Sequence, residues 1–208
     1  MNSLWILALL LFGLYGAFHL WYGGTGKPLT APEIDDYMAQ LTDEVHEEPG
    51  HGGPSLKDQV RTLLEQDDGR EFVMHNLVRY RSKALYPPGS PYSDDPRAAD
   101  LRYFKGGLPS MLRLAIHPVF VARRQGSFVD LPGAPEWHYM AMVRYRSRRD
   151  FVRWAIGMQK AQLTQHKWAA IETTQIFPSQ PVISLVWVRS AVAACLLLLG
   201  GLLTLVVR

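Results

Sequence analysis

Cysteine is nearly absent from this 208-residue chain: Cys195 is the only one, so no intrachain disulfide and no paired-cysteine metal site can form. A strong excess of either charge is lacking too. The 22 lysines and arginines stand against 19 aspartates and glutamates, a net +3, and no basic tract is interleaved with aromatics, so nucleic-acid binding has no support. Also missing are a glycine-rich phosphate loop, a nucleophile elbow and a cluster of metal ligands, which argues against nucleotide enzymes and hydrolases. The stretch His46-Glu-Glu-Pro-Gly-His51 approaches the zinc motif His-Glu-x-x-His. Its histidines, however, are spaced i,i+5 rather than i,i+4, and Pro49 breaks any helix that could put them on one face, so a solvated loop is expected.

Long apolar runs are present, but only at the two ends. Residues 4–22 carry no charged side chain and suffice, at about 1.5 Å per residue, to cross a hydrocarbon core about 30 Å thick. Trp5 at one end, and Trp21 with Tyr22 at the other, occupy the positions of an interfacial aromatic belt. His19 lies near that interface, where a headgroup contact is the ordinary role and a proton relay the alternative. Residues 1–22 read as a retained anchor, because there is no basic n-region and no small-x-small site before Gly23. The second run, residues 181–207, has Arg189 near its start, from where the long side chain can reach headgroups. Ala191, Ala193, Ala194, Gly200 and Gly201 give it a small-residue surface on which another membrane helix could pack. Two spans put both termini on one side, and the scarcity of lysine and arginine next to the interior places the domain outside the cytoplasm. Membrane lipid is then an expected neighbour.

Residues 23–69 read as a linker and two helices. Thr30-Ala-Pro-Glu is a helix start, with Thr30 as cap, Pro32 in the first turn and Glu33 completing a capping box. That helix is expected to reach about residue 45, with Ile34, Met38 and Leu41 on one face, before a Gly- and Pro-rich loop at residues 47–54. Ser55 opens a second helix carrying Leu56, Val60, Leu63 and Leu64, and Asp67-Asp68-Gly69 ends it. Within residues 70–178 a repeat stands out: Leu77-Val-Arg-Tyr-Arg-Ser82 recurs as Met142-Val-Arg-Tyr-Arg-Ser147, each copy closing an alternating run. A helix is expected after each, at residues 95–115 and 148–171, and then a strand, at 117–124 and 172–177. The order β-α-β, β-α-β predicts an α+β domain of ferredoxin-like, split β-α-β type, with a four-stranded antiparallel sheet and two helices on one face. The helix-free face makes a homodimer, or a larger membrane complex, the expected assembly.

Alternation along the first strand sets Phe72, Met74, Asn76, Val78 and Tyr80 on one face and His75, Leu77, Arg79 and Arg81 on the other. Tyr139, Ala141, Val143 and Tyr145 match the first, more apolar set, which should face the helices. Asn76 is then an amide in an apolar layer and requires a partner, a water or a ligand. His75, Arg79, His138 and Arg144 fall on the other side and, with Tyr80 and Tyr145, are candidate ligand or interface residues: they could hold an anionic group, or make salt bridges across an interface.

The run Leu63 to Tyr86, LLEQDDGREFVMHNLVRYRSKALY, with Met142-Val-Arg-Tyr-Arg-Ser-Arg-Arg-Asp-Phe151 and His166-Lys-Trp-Ala-Ala-Ile171, resembles an uncharacterised bacterial family of the dimeric α+β barrel superfamily. The likeness covers about residues 55–178, leaving the apolar ends and the helix at 30–45 as additions. It implies a bacterial inner-membrane location for the anchored form. The superfamily includes cofactor-free and haem-degrading monooxygenases, muconolactone isomerases and chlorite dismutase-like haem proteins, so fold leaves the reaction open. By resemblance to the haem-degrading members, Asn76, Trp154 and His166 are the candidate catalytic residues; a core tryptophan and a hydrogen-bonded helix-end histidine are the plainer account. On one continuous helix Trp154 and His166 would sit about 120° apart. Two functions follow as expectations. One is a binding or accessory module with a small apolar pocket or a protein interface at the bilayer, needing no cofactor. The other is a cofactor-free or haem-linked monooxygenase acting on an apolar, membrane-derived compound.

Overall fold

The computed structural model describes residues 3–42, 55–130, 132–183 and 187–207, so the His46 to His51 stretch and the expected loop at 47–54 lie outside the described residues. The elements are α1 (Ser3–Gly23), α2 (Ala31–Gln40), α3 (Leu56–Glu65), β1 (Phe72–Tyr80), α4 (Pro96–Arg113), β2 (His117–Arg123), β3 (Tyr139–Tyr145), α5 (Arg148–Lys160), α6 (Thr164–Ala170), β4 (Ile171–Ser179) and α7 (Val188–Val207). They form two units, Gly26–Gln180 and the pairing of Met1–Thr25 with Pro181–Arg208.

In the paired terminal unit, Ser3–Gly23 and Val188–Leu205 are each long and apolar enough to cross a membrane. α1 and α7 approach closely where α7 has no side chain: a Cβ at Gly200 would lie 2.8 Å from Leu11 Cδ1. Arg189 lies over the Tyr22 ring at 5.0 Å, a cation–π contact.

The other unit is an α+β domain around a four-stranded sheet in the order β2-β3-β1-β4, every neighbouring pair antiparallel. Two β-α-β halves with β1 and β3 side by side make the split arrangement that the repeat suggested. The register sets Phe72 opposite Tyr145 and Asn76 between Ala141 and Ile176. Phe72, Met74, Val143 and Tyr145 pack with Met111 and Leu114 from α4 and its end and with Phe151 and Trp154 from α5. Val78, Tyr80 and Tyr139 pack with Ala99 of α4 and with Ala169 and Ala170 of α6. The more apolar strand face therefore turns toward the helices. Complete burial of Phe72 or Leu64 contributes about 1.5–3 kcal/mol each.

α5 is covered on both sides. Phe151 and Trp154 face the sheet, while Val152 and Ile156 meet Ile34, Met38, Leu41 and Leu64. α2 and α3 thus add a third layer, with the apolar face of α2 placed as its spacing requires. The start of α2 is held as expected, the Thr30 N–H donating to Glu33 Oε2 at 2.9 Å. Its end comes sooner than residue 45: Leu41 is extended and only its N–H, to the Tyr37 carbonyl, still belongs to the helix.

The single helix expected over 148–171 is corrected to two, with Ile171 opening β4. Gln162 takes φ 55°, its N–H donates to the Gln159 carbonyl (2.8 Å), and the Leu163 N–H donates to the Met158 carbonyl (2.9 Å). That double bond is a Schellman cap with glutamine where glycine is usual, which hides it from a sequence reading. α4 ends identically through Ala115 at φ 52°. Ser147, the last residue of the second repeat copy, caps α5 by accepting from the Asp150 N–H at 3.1 Å.

Candidate functional site

Where β1 ends, the chain must leave the sheet while the starts of α4 and β4 and the lead into β3 converge. A cavity of about 580 Å³ opens there, lined by Arg79, Tyr80 and Arg81, by Arg97 at the start of α4, by His138 before β3, and by Glu172 of β4. Arg79 Nε lies 3.0 Å from Glu172 Oε2. The Tyr80 N–H donates to His138 Nδ1 at 2.9 Å, and the two rings stack at 5.7 Å. His138 therefore has its Nδ1 lone pair engaged, which leaves Nε2 as the N–H of the neutral ring. Asp95 and Glu136 complete the wall.

Beneath the cavity, one oxygen of Asp100 accepts from two phenols, Tyr80 Oη at 2.7 Å and Tyr139 Oη at 3.1 Å. Burial first, and then the Asp100 charge, push both phenol pKa values up, so both hydroxyls stay protonated donors. A lining that holds both arginines and carboxylates suits a polar or zwitterionic group. Charged side chains make up most of this wall.

Of the candidate ligand or interface residues, Arg79, Tyr80 and His138 meet at the cavity and the others lie elsewhere. His75 stacks on Phe177 at 4.7 Å and its Nε2 is 2.7 Å from Ser179 Oγ. Four residues along β1, it stands roughly 13 Å from Arg79 at ~3.3 Å per residue. Arg144 is 4% exposed and already has its anion: Nε donates to Glu71 Oε2 at 3.1 Å and Nη1 to the Ala115 carbonyl at 3.2 Å. Tyr145 is buried and stacked on Phe72 at 5.3 Å, with burial raising its pKa.

Asn76, Trp154 and His166 occupy three separate surroundings. The Asn76 amide donates to the Met74 carbonyl at 3.2 Å and to the Ala141 carbonyl at 3.3 Å, so backbone meets its need for a partner. Trp154 stands edge-on to Tyr103 and Tyr145, each at 6.0 Å, and its buried Nε1–H has no hydrogen-bond partner. His166 is on α6, beyond the helix break. Its Nδ1 is 2.8 Å from Tyr86 Oη, the edge of Tyr92 packs against the ring, and Arg102 lies over Tyr92 at 5.1 Å. Burial, then the Arg102 charge, push the His166 pKa down, so the imidazole is held neutral. These surroundings do not fit haem, since the cavity lining includes none of the three and aromatic rings pack directly on His166. Among the described residues no group of three or more metal-ligating side chains comes together.

Asp100, Tyr86, Tyr92 and Arg102 went unnoticed in the sequence. The faint signal was a carboxylate on the inward side of an amphipathic helix and two tyrosines in an otherwise Pro- and Gly-rich connection.

No family model matches the chain, and no curated protein matches it. Among solved structures it is similar to the methylated RPA0582 protein, with 23% identity and a TM-score of 0.55 over 65% of this chain and 98% of that one. A second structure, the RPA0582 protein of unknown function from Rhodopseudomonas palustris, gives the same identity and TM-score over 65% and 99%. A DABB-family protein with a ferredoxin-like fold from Mesorhizobium loti aligns at 9% identity and a TM-score of 0.34 over 54% and 98%, too slight a likeness to add weight. At this identity the RPA0582 likeness speaks for the α+β fold alone, and some two-thirds of the present chain spans almost the whole of that protein.

Proposed function

We propose that this chain is a membrane-anchored binding module. In this reading α1 and α7 hold it in a bacterial inner membrane with the domain outside the cytoplasm. The domain pairs with a second copy through the helix-free sheet face, closing a dimeric α+β barrel, and the cavity at the end of β1 takes a polar, charged ligand. The observation that carries the reading is the free sheet face. Leu77, Met140 and Met142 run along its two central strands, beside Phe120 at 52% and Phe177 at 40% exposure, while the three apolar clusters lie elsewhere. An apolar sheet face of this kind is normally covered by a partner. Mass measurement in detergent is the test: wild type should run as a dimer, and Met142→Lys with Leu77→Glu as a monomer with unchanged circular dichroism. A monomeric wild type overturns the reading.

A second reading, a cofactor-free oxygenase acting on an apolar, membrane-derived compound, is favoured by the neutral His166, the state a general base requires, and by the unpaired Trp154 Nε1–H. It requires His166→Ala to abolish turnover of a candidate substrate. Unchanged turnover removes it, and a Soret band on adding haem would restore the haem-linked form.

A further inference from the structure

The cavity at the end of β1 holds both signs of charge in equal number, Arg79, Arg81 and Arg97 against Asp95, Glu136 and Glu172. Part of that charge is already engaged. Arg79 Nε meets Glu172 Oε2 at 3.0 Å. Asp95 caps α4, its Oδ1 accepting from the Arg97 N–H at 2.9 Å. Arg81 reaches a neutral acceptor, its Nε donating to the Trp168 carbonyl at 3.5 Å, and has no counterion among the described residues. The Arg97 guanidinium and the Glu136 carboxylate make no hydrogen bond or ion pair among the described residues, with each other included.

Two guanidiniums and one carboxylate thus line the cavity without a counterion. They come from different segments: Arg81 just past β1, Arg97 in the first turn of α4, Glu136 in the lead into β3. His138 adds a donor held in place. Its Nδ1 accepts the Tyr80 N–H and its ring stacks on Tyr80, whose hydroxyl is tied to Asp100, so the ring that carries the Nε2–H is oriented before any ligand arrives. A lone anion entering this cavity meets Glu136 and Asp95 as well as the arginines, and a lone cation meets the arginines as well as the carboxylates. Like charge weakens the binding of both. A molecule carrying both signs can turn each of its ends to the opposite charge. About 580 Å³ is also room for a small molecule, whose sites measure roughly 300–1,000 Å³.

We propose that the cavity binds a small zwitterion, with its anionic group on Arg81, Arg97 and the His138 Nε2–H and its ammonium group on Glu136. The inference rests on the binding-module reading and narrows the ligand of that module to one class.

The full chain in detergent is titrated by calorimetry with glycine, β-alanine and γ-aminobutyrate, whose lengths probe the span between the two charges. Acetate, propionate and butyrate supply the same carboxylates without the ammonium, and methyl-, ethyl- and propylammonium the reverse. The tightest amino acid should bind at least about tenfold more tightly than either of its fragments, as one charge-assisted hydrogen bond requires. Glu136→Gln should lower its affinity to that of the matching carboxylate, and Arg97→Gln should lower it about tenfold. Lys105→Gln, on α4 but outside the lining, should leave it unchanged. Glycerophosphoethanolamine separates the two sources of such a ligand: binding tighter than every amino acid names a lipid headgroup, weaker binding a free solute, and both support the class. Carboxylates bound as tightly as the zwitterions and weakened by Arg97→Gln overturn the zwitterion and leave a module for anions. Saturable heat from none of the series overturns the inference, and the mass of the same preparation decides the broader reading separately, a dimer keeping it and a monomer removing it.

Discussion

Tyr86 Oη and His166 Nδ1 lie 2.8 Å apart, joining the 81–95 connection to α6 across a gap of 80 residues in sequence. Because burial and Arg102 lower the His166 pKa from 6.5, the stability due to the neutral ring is fully present above pH 6.5 and is lost as pH falls through the lowered value. His117 is lowered in the same direction by burial. Thermal unfolding midpoints should therefore drop as the solution is acidified from pH 7 toward 5. His166→Gln should flatten part of that slope and leave the His117 share. Tyr86→Phe, which strands the imidazole nitrogen, should cost about 1–2 kcal/mol in denaturant titrations.

Arg149 ties the third layer to α5, its Nη2 donating to Glu33 Oε2 at 3.1 Å. With Thr30 it holds the Glu33 carboxyl at about 2, against an ordinary 4.5. A depressed carboxyl contributes stability that is present above pH 4.5 and lost as pH falls through about 2. Urea midpoints at pH 5, 4 and 3 should fall less steeply in Glu33→Gln than in wild type, and an unchanged slope would remove Glu33 from the acid response.

Gln162 closes α5 in the left-handed region, at φ 55°, with its side chain in solvent. Gln162→Gly should stabilise the domain by about 0.5–1 kcal/mol, since glycine adopts this conformation without the Cβ penalty. Ala115→Gly at the equivalent cap of α4 should gain less. Ala115 is 2% exposed, and loss of its methyl costs about 0.8 kcal/mol. Paired denaturation curves measure the difference.

Gly69 turns the chain from α3 into β1 at φ 74°, and a Cβ there would stand 2.5 Å from the Gly26 carbonyl oxygen. The neighbouring Asp67 carboxylate accepts from the Leu29 N–H at 2.8 Å and the Gly69 N–H at 3.2 Å, so backbone is pinned on both sides. Gly69→Ala should destabilise the domain by about 2 kcal/mol or more, read as a lower denaturation midpoint.

Much of the scaffold was legible because its signals are local. The alternation of Phe72, Met74 and Val78, the duplicated strand ends at Val78 and Val143, and the helix starts at Thr30 and Ser55 depend on neighbours a few residues away. The break at residues 161–163 was not, because nothing in the composition of Gln162 distinguishes a capped end from a continuing helix. The candidate site was legible only in part: Arg79, Tyr80 and His138 come together, whereas Asn76, Trp154 and His166 do not.

The order of residues alone specified the two apolar ends, the division into β-α-β halves and the face each strand side chain takes, since periodicity and hydropathy are properties of the chain itself. Tertiary structure decided which charges are spent within the domain and which remain for a partner. Arg144 meets Glu71 across 73 residues, and Tyr80 meets Asp100 across 20. Such pairings arise only when the sheet and helices pack, because the desolvation that makes a buried arginine seek its anion exists only in the folded core.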